Sequence, residues 1–256
     1  MSELLTAIRY SILGGARGAP TPPRAGLRRF NGLWVPALLA AGAILLPIAY
    51  LALRVAQADR DTWALILSAG TLATLGRTVL LAGLVTLASA ALAVPIAWLT
   101  VRTDLPYRRA WSVLAALPLV IPSYVGAYLM VASLGPRGML AQWLGAWFGL
   151  EQLPSIYGLP GAVYVLTLLS YPYTLLSVRA GLHRLDPALE EAARGLGHGP
   201  WQTFWRVILP QLRPALAAGS LLVALYVLRD FGAVAIMRYN TFTRVIYIQY
   251  LSLIHI

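Results

Sequence analysis

Five long apolar runs, separated by short connections that carry the arginines, set the pattern of this chain. They fall at about residues 33–53, 78–100, 111–134, 159–177 and 214–236, each close to the roughly 20 residues a helix needs to cross a hydrocarbon core. One such run fits inside a soluble domain, but five do not. The pattern therefore predicts an all-α, polytopic transmembrane bundle of about five spanning helices. The first run contains Pro36 and Pro47 and lacks a small-residue cleavage site, so it reads as a retained helix rather than a signal peptide. Before it, residues 14–29 are rich in Gly, Pro and Arg with no periodic apolar face, which predicts a disordered basic tail over residues 1–32. Residues 63–76 are moderately apolar and suited to lie along the membrane surface, and residues 143–160 carry aromatics suited to an interface. Residues 241–256 are apolar and aromatic but stop short of a sixth span. An odd count ending there predicts either an extracytoplasmic C-terminus or a fragment of a longer protein, and the fragment is the expectation.

Composition agrees with the runs: 59% of the residues are hydrophobic, 11% are charged and the mean hydropathy is +0.71, against about 25% charged in soluble domains. A net charge of +11 would suggest nucleic acid in a soluble protein. Here the basic residues sit between apolar runs, as the orientation rule for membrane helices requires, and no nucleic-acid partner is expected. The tail holds Arg9, Arg17, Arg24, Arg28 and Arg29. The second-to-third connection holds Arg102, Arg108 and Arg109, and the fourth-to-fifth holds Arg179, Arg184, Arg194, Arg206 and Arg213. The alternate connections hold only Arg54, Arg60, Arg77 and Arg137. This bias predicts a cytoplasmic N-terminus. The chain has no cysteine, which excludes disulfides, thiol catalysis and thiolate metal sites.

The most specific stretch is the long connection 179–213, which reads as two short helices around a glycine-rich turn. Asp186 is a good N-cap, Pro187 suits the first helical position, and Glu190 and Glu191 lie in the early turns, where the helix dipole favours negative charge. Glu190 precedes Arg194 by four residues, the favourable order for an ion pair. Gly195, Gly197 and Gly199 end the first helix, and the second, residues 201–209, is expected to close at Pro210.

Glu191-Ala192-Ala193, three residues, Gly197, nine residues, Val207, one residue, then Leu209-Pro210 resembles the EAA motif of binding-protein-dependent ABC importer permeases, with Val207 in place of Ile. The resemblance implies that this loop is a coupling helix seated in a groove of a cytoplasmic ABC ATPase dimer. Glu191 would face a basic partner residue, Ala192 and Ala193 would permit close approach, and Gly197 would turn the chain. It also implies an extracytoplasmic solute-binding protein and a location in the bacterial inner membrane. From residue 78 onward the chain is most similar to the Fe(III) permeases, through Leu117-Pro118-Leu119-Val120-Ile121-Pro122-Ser123-Tyr124, Ser170-Tyr171-Pro172-Tyr173, Asp230-Phe231-Gly232 and Thr241-Phe242-Thr243. Thiamine, polyamine and phosphonate permeases share parts of these stretches. Such iron permeases hold two halves in one polypeptide, so the resemblance makes this chain an N-terminal half, with the sixth helix and the second half outside it.

All 20 basic residues are arginine, and a phosphate-binding loop that cradles ATP requires a lysine. ATP hydrolysis is therefore expected on a separate partner, and the chain is not expected to be an enzyme or to hold a cofactor. Gly195-Leu196-Gly197-His198-Gly199 imitates a phosphate loop without its preceding strand, and Asp230-Phe231-Gly232 imitates a kinase signature without its companions. His183, His198 and His255 have no metal-site spacing. For the translocation path the candidates are Pro118, Pro122 and Pro172, which free backbone carbonyls, with their neighbours Ser123, Tyr124, Ser170, Tyr171 and Tyr173. Packing kinks and interfacial aromatics are the competing reading of the same residues. Asp230 is the only acid in the assigned spans. It is expensive in hydrocarbon and so a candidate gate or path residue, while Arg229 beside it is near enough to a helix end to snorkel to the interface. A secondary transporter would need more intramembrane carboxylates than this one; a structural subunit without a path is the other rival.

Overall fold

The computed structural model describes residues 34–136, 138–148 and 155–254, and among these every regular element is helical. The expected tail over residues 1–32 lies outside them. In chain order the helices are α1 (Trp34–Ala56), α2 (Arg60–Ile66), α3 (Ala69–Arg102), α4 (Arg108–Leu114), α5 (Ser123–Leu134), α6 (Met139–Phe148), α7 (Leu159–Arg184), α8 (Pro187–Gly195), α9 (Pro200–Thr203), α10 (Leu209–Arg229), α11 (Gly232–Ile236) and α12 (Phe242–Ile254). A 3₁₀ turn (Leu117–Val120) follows α4, and a π turn (Phe204–Ile208) joins α9 to α10. Among the described residues four helical rods are long and apolar enough to cross a membrane, five if the bent pair around Pro122 counts as one span. The chain divides into two units near residue 63. In the first, α1 buries none of its residues, as expected of a helix whose solvent is lipid.

The second unit is built on α3, α7 and α10. Two layers of side chains fill it. In one, Leu81 and Val85 of α3 meet Val165, Leu166 and Leu169 of α7 and Val223 and Val227 of α10. In the other, Ala93 and Ala97 meet Leu175, Val178 and Leu182, with Ile208 and Leu212. Residue numbers rise together along α3 and α7 and fall along α10, so α3 and α7 are parallel and α10 runs against them. Between the layers Ser89 and Ser170 approach to 3.4 Å, and Ser170 donates to the Leu166 carbonyl at 2.6 Å. Lipid tails are as apolar as Leu, so burial alone does not hold these helices together; close backbone approach does. Gly219 permits it, because a Cβ there would lie 2.7 Å from the Thr174 Cα. At the end of α3 the Arg102 guanidinium donates to the carbonyls of Leu182 and Leu185, both at 3.2 Å, and ties α3 to the end of α7.

Four expectations from the sequence are corrected. The stretch expected along the membrane surface splits: Arg60–Ile66 is a short helix, whereas residues 69–76 continue into the 34-residue α3. Ser68 accepts from the Thr71 amide and starts that helix there. The third run is not one helix. Pro122 forces Ile121 into extended backbone (φ −84°, ψ 119°), and the arms on either side, Arg108–Val120 and Ser123–Trp143, meet at 99°. Pro210 closes nothing. The π turn ahead of it carries the helix from Pro200 without a break, with the Leu209 amide reaching the Phe204 carbonyl five residues back. The fifth run ends as a helix at Arg229, and α11 begins only after a break at Asp230 and Phe231.

Residues 242–254, which stop short of a span by length, are helical. They are pinned to the bundle by hydrogen bonds from the Phe242 amide to Thr78 Oγ1 (3.1 Å) and from Thr243 Oγ1 to the Asp230 carbonyl (2.7 Å).

Candidate functional site

The connection between α7 and α10 folds into a hairpin whose shape follows from its residues. Asp186 accepts from the Ala188 amide at 2.9 Å, and Pro187 takes the first helical position of α8. Glu190 pairs with Arg194 at 2.8 Å. The helix then ends in a Schellman arrangement: the Gly197 amide donates to the Arg194 carbonyl (3.0 Å) and the His198 amide to the Ala193 carbonyl (3.1 Å). Gly197 sits at φ +88°, a backbone conformation open to glycine.

Ala193 is buried and Glu191 and Ala192 are exposed. The small side chain of Ala193 therefore serves the packing of the hairpin itself, while Glu191 and Ala192 face outward. The remaining motif residues, Val207, Leu209 and Pro210, are not in the hairpin. They lie half-buried in the π turn and first turn of α10. There Trp98 meets Phe204 edge-on (5.1 Å between centroids) beside a cavity of about 650 Å³, which Trp201, Trp205 and Leu209 also line.

At the opposite end of α10 a second cavity, of about 540 Å³, opens beside the break at Asp230. It is lined by Leu119, Val120, Ile121, Pro122, Ser123, Tyr173, Tyr226, Arg229, Asp230 and Phe231. The proline bend brings Ser123 to it, α7 contributes Tyr173, and α10 contributes its last turn. Tyr173 and Tyr226 lie 5.6 Å apart between ring centroids. Asp230 is 7% exposed, and its Oδ1 accepts from the amides of Ala233 (3.0 Å) and Val234 (3.4 Å). The carboxylate thus serves the free amides at the start of α11. Gly232 completes the junction, where a Cβ would meet that of Tyr124 at 2.8 Å.

Of the path residues singled out from the sequence, Pro122, Ser123, Tyr173 and Asp230 meet at this cavity. The others are elsewhere. Pro118 is the second residue of the 3₁₀ turn and Tyr124 is exposed one residue past the lining. Ser170, Tyr171 and Pro172 are buried on the packed side of α7, where Tyr171 lines a separate cavity with Trp111 and Ala115. Tyr226 was not among the candidates. It stands one helical turn before Asp230, a spacing that would have placed both on one face of α10.

The arrangement matches known proteins. Residues 92–252 fit the family described as binding-protein-dependent transport system inner membrane component. The Fe(3+)-transport system permease protein FbpB 2 of Haemophilus influenzae is 38% identical over 138 residues, 54% of this chain and 24% of that protein. The molybdenum transport system permease protein ModB of Escherichia coli is 37% identical over 117 residues, 46% of this chain and 50% of that one. The match thus spans half or less of the length of these relatives. A crystal structure of a bacterial alginate ABC transporter, in complex with an alginate pentasaccharide-bound periplasmic protein, shares the fold. It superposes with a TM-score of 0.67 at 21% identity, covering 86% of this chain and 83% of its counterpart. With more than half its length inside the family match, this multi-pass membrane chain belongs to the binding-protein-dependent transport system inner membrane components.

Proposed function

We propose that the chain is a permease subunit, or one half of one, of a bacterial ABC importer, coupling a translocation path to ATP hydrolysis on a separate cytoplasmic ATPase dimer. The observation that carries this reading is mechanical. One helical rod, Pro200–Arg229, runs from the hairpin to the polar cavity; at about 1.5 Å per residue its 30 residues span about 45 Å. A displacement of the hairpin is therefore delivered to Tyr226, Arg229 and Asp230 without crossing a flexible joint.

In this reading Glu190, Glu191, Ala192, Ala193 and Gly197 form the coupling element, and Val207, Leu209 and Pro210 form its root. The N-terminus and the hairpin are cytoplasmic, and the cavity opens toward the outer side, where a solute-binding protein delivers substrate. A second permease half closes the path against this one, within the same or another chain. The substrate we favour is ferric iron, on the sequence resemblance and the Fe(3+) relative; the molybdenum relative supports a rival substrate class. The test is to purify the complete native transporter under mild detergent and look for a P-loop ATPase. Retention by the wild type and loss in Glu191→Arg, with membrane insertion intact, is the expected result. No ATPase with the wild type, even after cross-linking, overturns the assignment.

A further inference from the structure

We propose that the cavity at the end of α10 admits its cargo as an anion, with Arg229 as the positive contact for negatively charged oxygen atoms. The inference rests on the permease reading and concerns the charge of what passes.

The two charged groups on the cavity wall are adjacent in sequence but not equivalent. Asp230 is buried, its Oδ1 is held by two backbone amides and its carbonyl by Thr243, so its carboxylate is tied to the junction between α10 and α11 while its charge still offsets part of that of Arg229. Arg229 is exposed and forms no ion pair among the described residues. Its guanidinium carbon lies 5.6 Å from the centre of the Tyr226 ring, one turn back along α10, instead of extending past the end of the helix. A guanidinium resting on an aromatic face keeps its N–H groups available at its edge.

The other polar side chains on the wall, Ser123, Tyr173 and Tyr226, are hydroxyls that can donate. The remainder, Leu119, Val120, Ile121, Pro122 and Phe231, is apolar and offers a cation no acceptor side chain. A bare cation entering here meets an exposed guanidinium ahead of a buried carboxylate. A tetrahedral oxyanion meets a planar fork of donors and up to three hydroxyls. The shared chemistry is the oxyanion, either free or as the oxygen ligands of a complexed ferric ion.

The absence of cysteine from the chain supplies the test. Ser123→Cys places one thiol on the cavity wall of the intact transporter in lipid nanodiscs, and its modification is read as a mass increase of this chain. The negatively charged sulfonatoethyl and positively charged trimethylammonioethyl methanethiosulfonates are compared, each rate normalised to that of a free thiol. The normalised ratio is expected to favour the anionic reagent, to fall about tenfold in Arg229→Gln, and to survive in Arg229→Lys.

Protection of the thiol by molybdate identifies a free oxyanion, and protection by ferric citrate alone identifies the complexed metal. A preference for the cationic reagent, a ratio unmoved by Arg229→Gln, or no protection by either anion overturns the proposal. None of these outcomes depends on the ATPase, so their failure is distinct from failure of the coupling assignment.

Discussion

Gly197→Ala isolates the part of the hairpin that depends on backbone geometry alone. A Cβ at Gly197 meets nothing within 4 Å, so no steric contact with the rest of the chain enters the result. The penalty comes from φ +88°, where an L-residue costs about 1–2 kcal/mol. Restricting the unfolded chain returns about 0.4–1 kcal/mol, which leaves about 1 kcal/mol against the turn. If the hairpin must be formed to dock, that corresponds to roughly fivefold weaker binding of the ATPase.

Two companions sharpen the test. Gly197→Asn retains a residue that tolerates the left-handed region and should stay within about twofold of wild type. Gly195→Ala, at the last residue of α8 and equally open, should bind as well as wild type or slightly better, because Ala suits a helix more than Gly does. The assay is titration of purified ATPase onto nanodisc-embedded transporter, with circular dichroism confirming an unchanged bundle. Wild-type affinity in Gly197→Ala, or equal weakening by Ala at 195 and 197, would refute the argument from backbone conformation.

Three further outcomes concern the bundle and the junction between α10 and α11. Gly219→Val drives a side chain against the Thr174 backbone and forces α7 and α10 apart, so it should destabilise the protein by about 1–3 kcal/mol, read as a lower midpoint of denaturation in mixed micelles. Asp230→Ala strips the two amides at the start of α11 of their acceptor, at about 1 kcal/mol; hydrogen exchange at Ala233 and Val234 should speed up roughly fivefold, and Asn at the same position should restore most of the protection. Arg102→Leu leaves the Leu182 and Leu185 carbonyls without their donor, at about 1–3 kcal/mol, and trypsin should cut faster after Arg184 at the loosened end of α7.

The spans and the hairpin were legible in the sequence because each is governed by local rules: run length against bilayer thickness, and a cap, an ion pair and a glycine at fixed offsets. The lining of the polar cavity was legible only in part. Ser123 and Ser170 are alike as serines beside prolines in apolar runs, yet one lines a cavity and the other faces Ser89 in the packed interior. Rotation about a helix axis decides between them, and that is set by the neighbouring helices. Asp230 looked like an isolated charge because the amides that satisfy it belong to a helix that begins only after the chain breaks, and apolar run length does not record that break. Pro210 misled for a related reason: proline forbids an ordinary turn, but a widened one of five residues accommodates it.

That widened turn takes up one residue without turning the hairpin. A π turn holds one residue more than the α-helical path it replaces, and each residue in an α-helix advances the chain by about 100° around the axis. Deleting a single residue from Phe204–Ile208 would let the rod close as an uninterrupted α-helix with the bearing of the hairpin kept, whereas deleting one from the regular helix after it would swing everything ahead, Glu191 and Gly197 included, by about that angle. The bearing of the hairpin relative to the polar cavity therefore tolerates the loss of one residue in this one turn and should not tolerate it in the regular helix that follows.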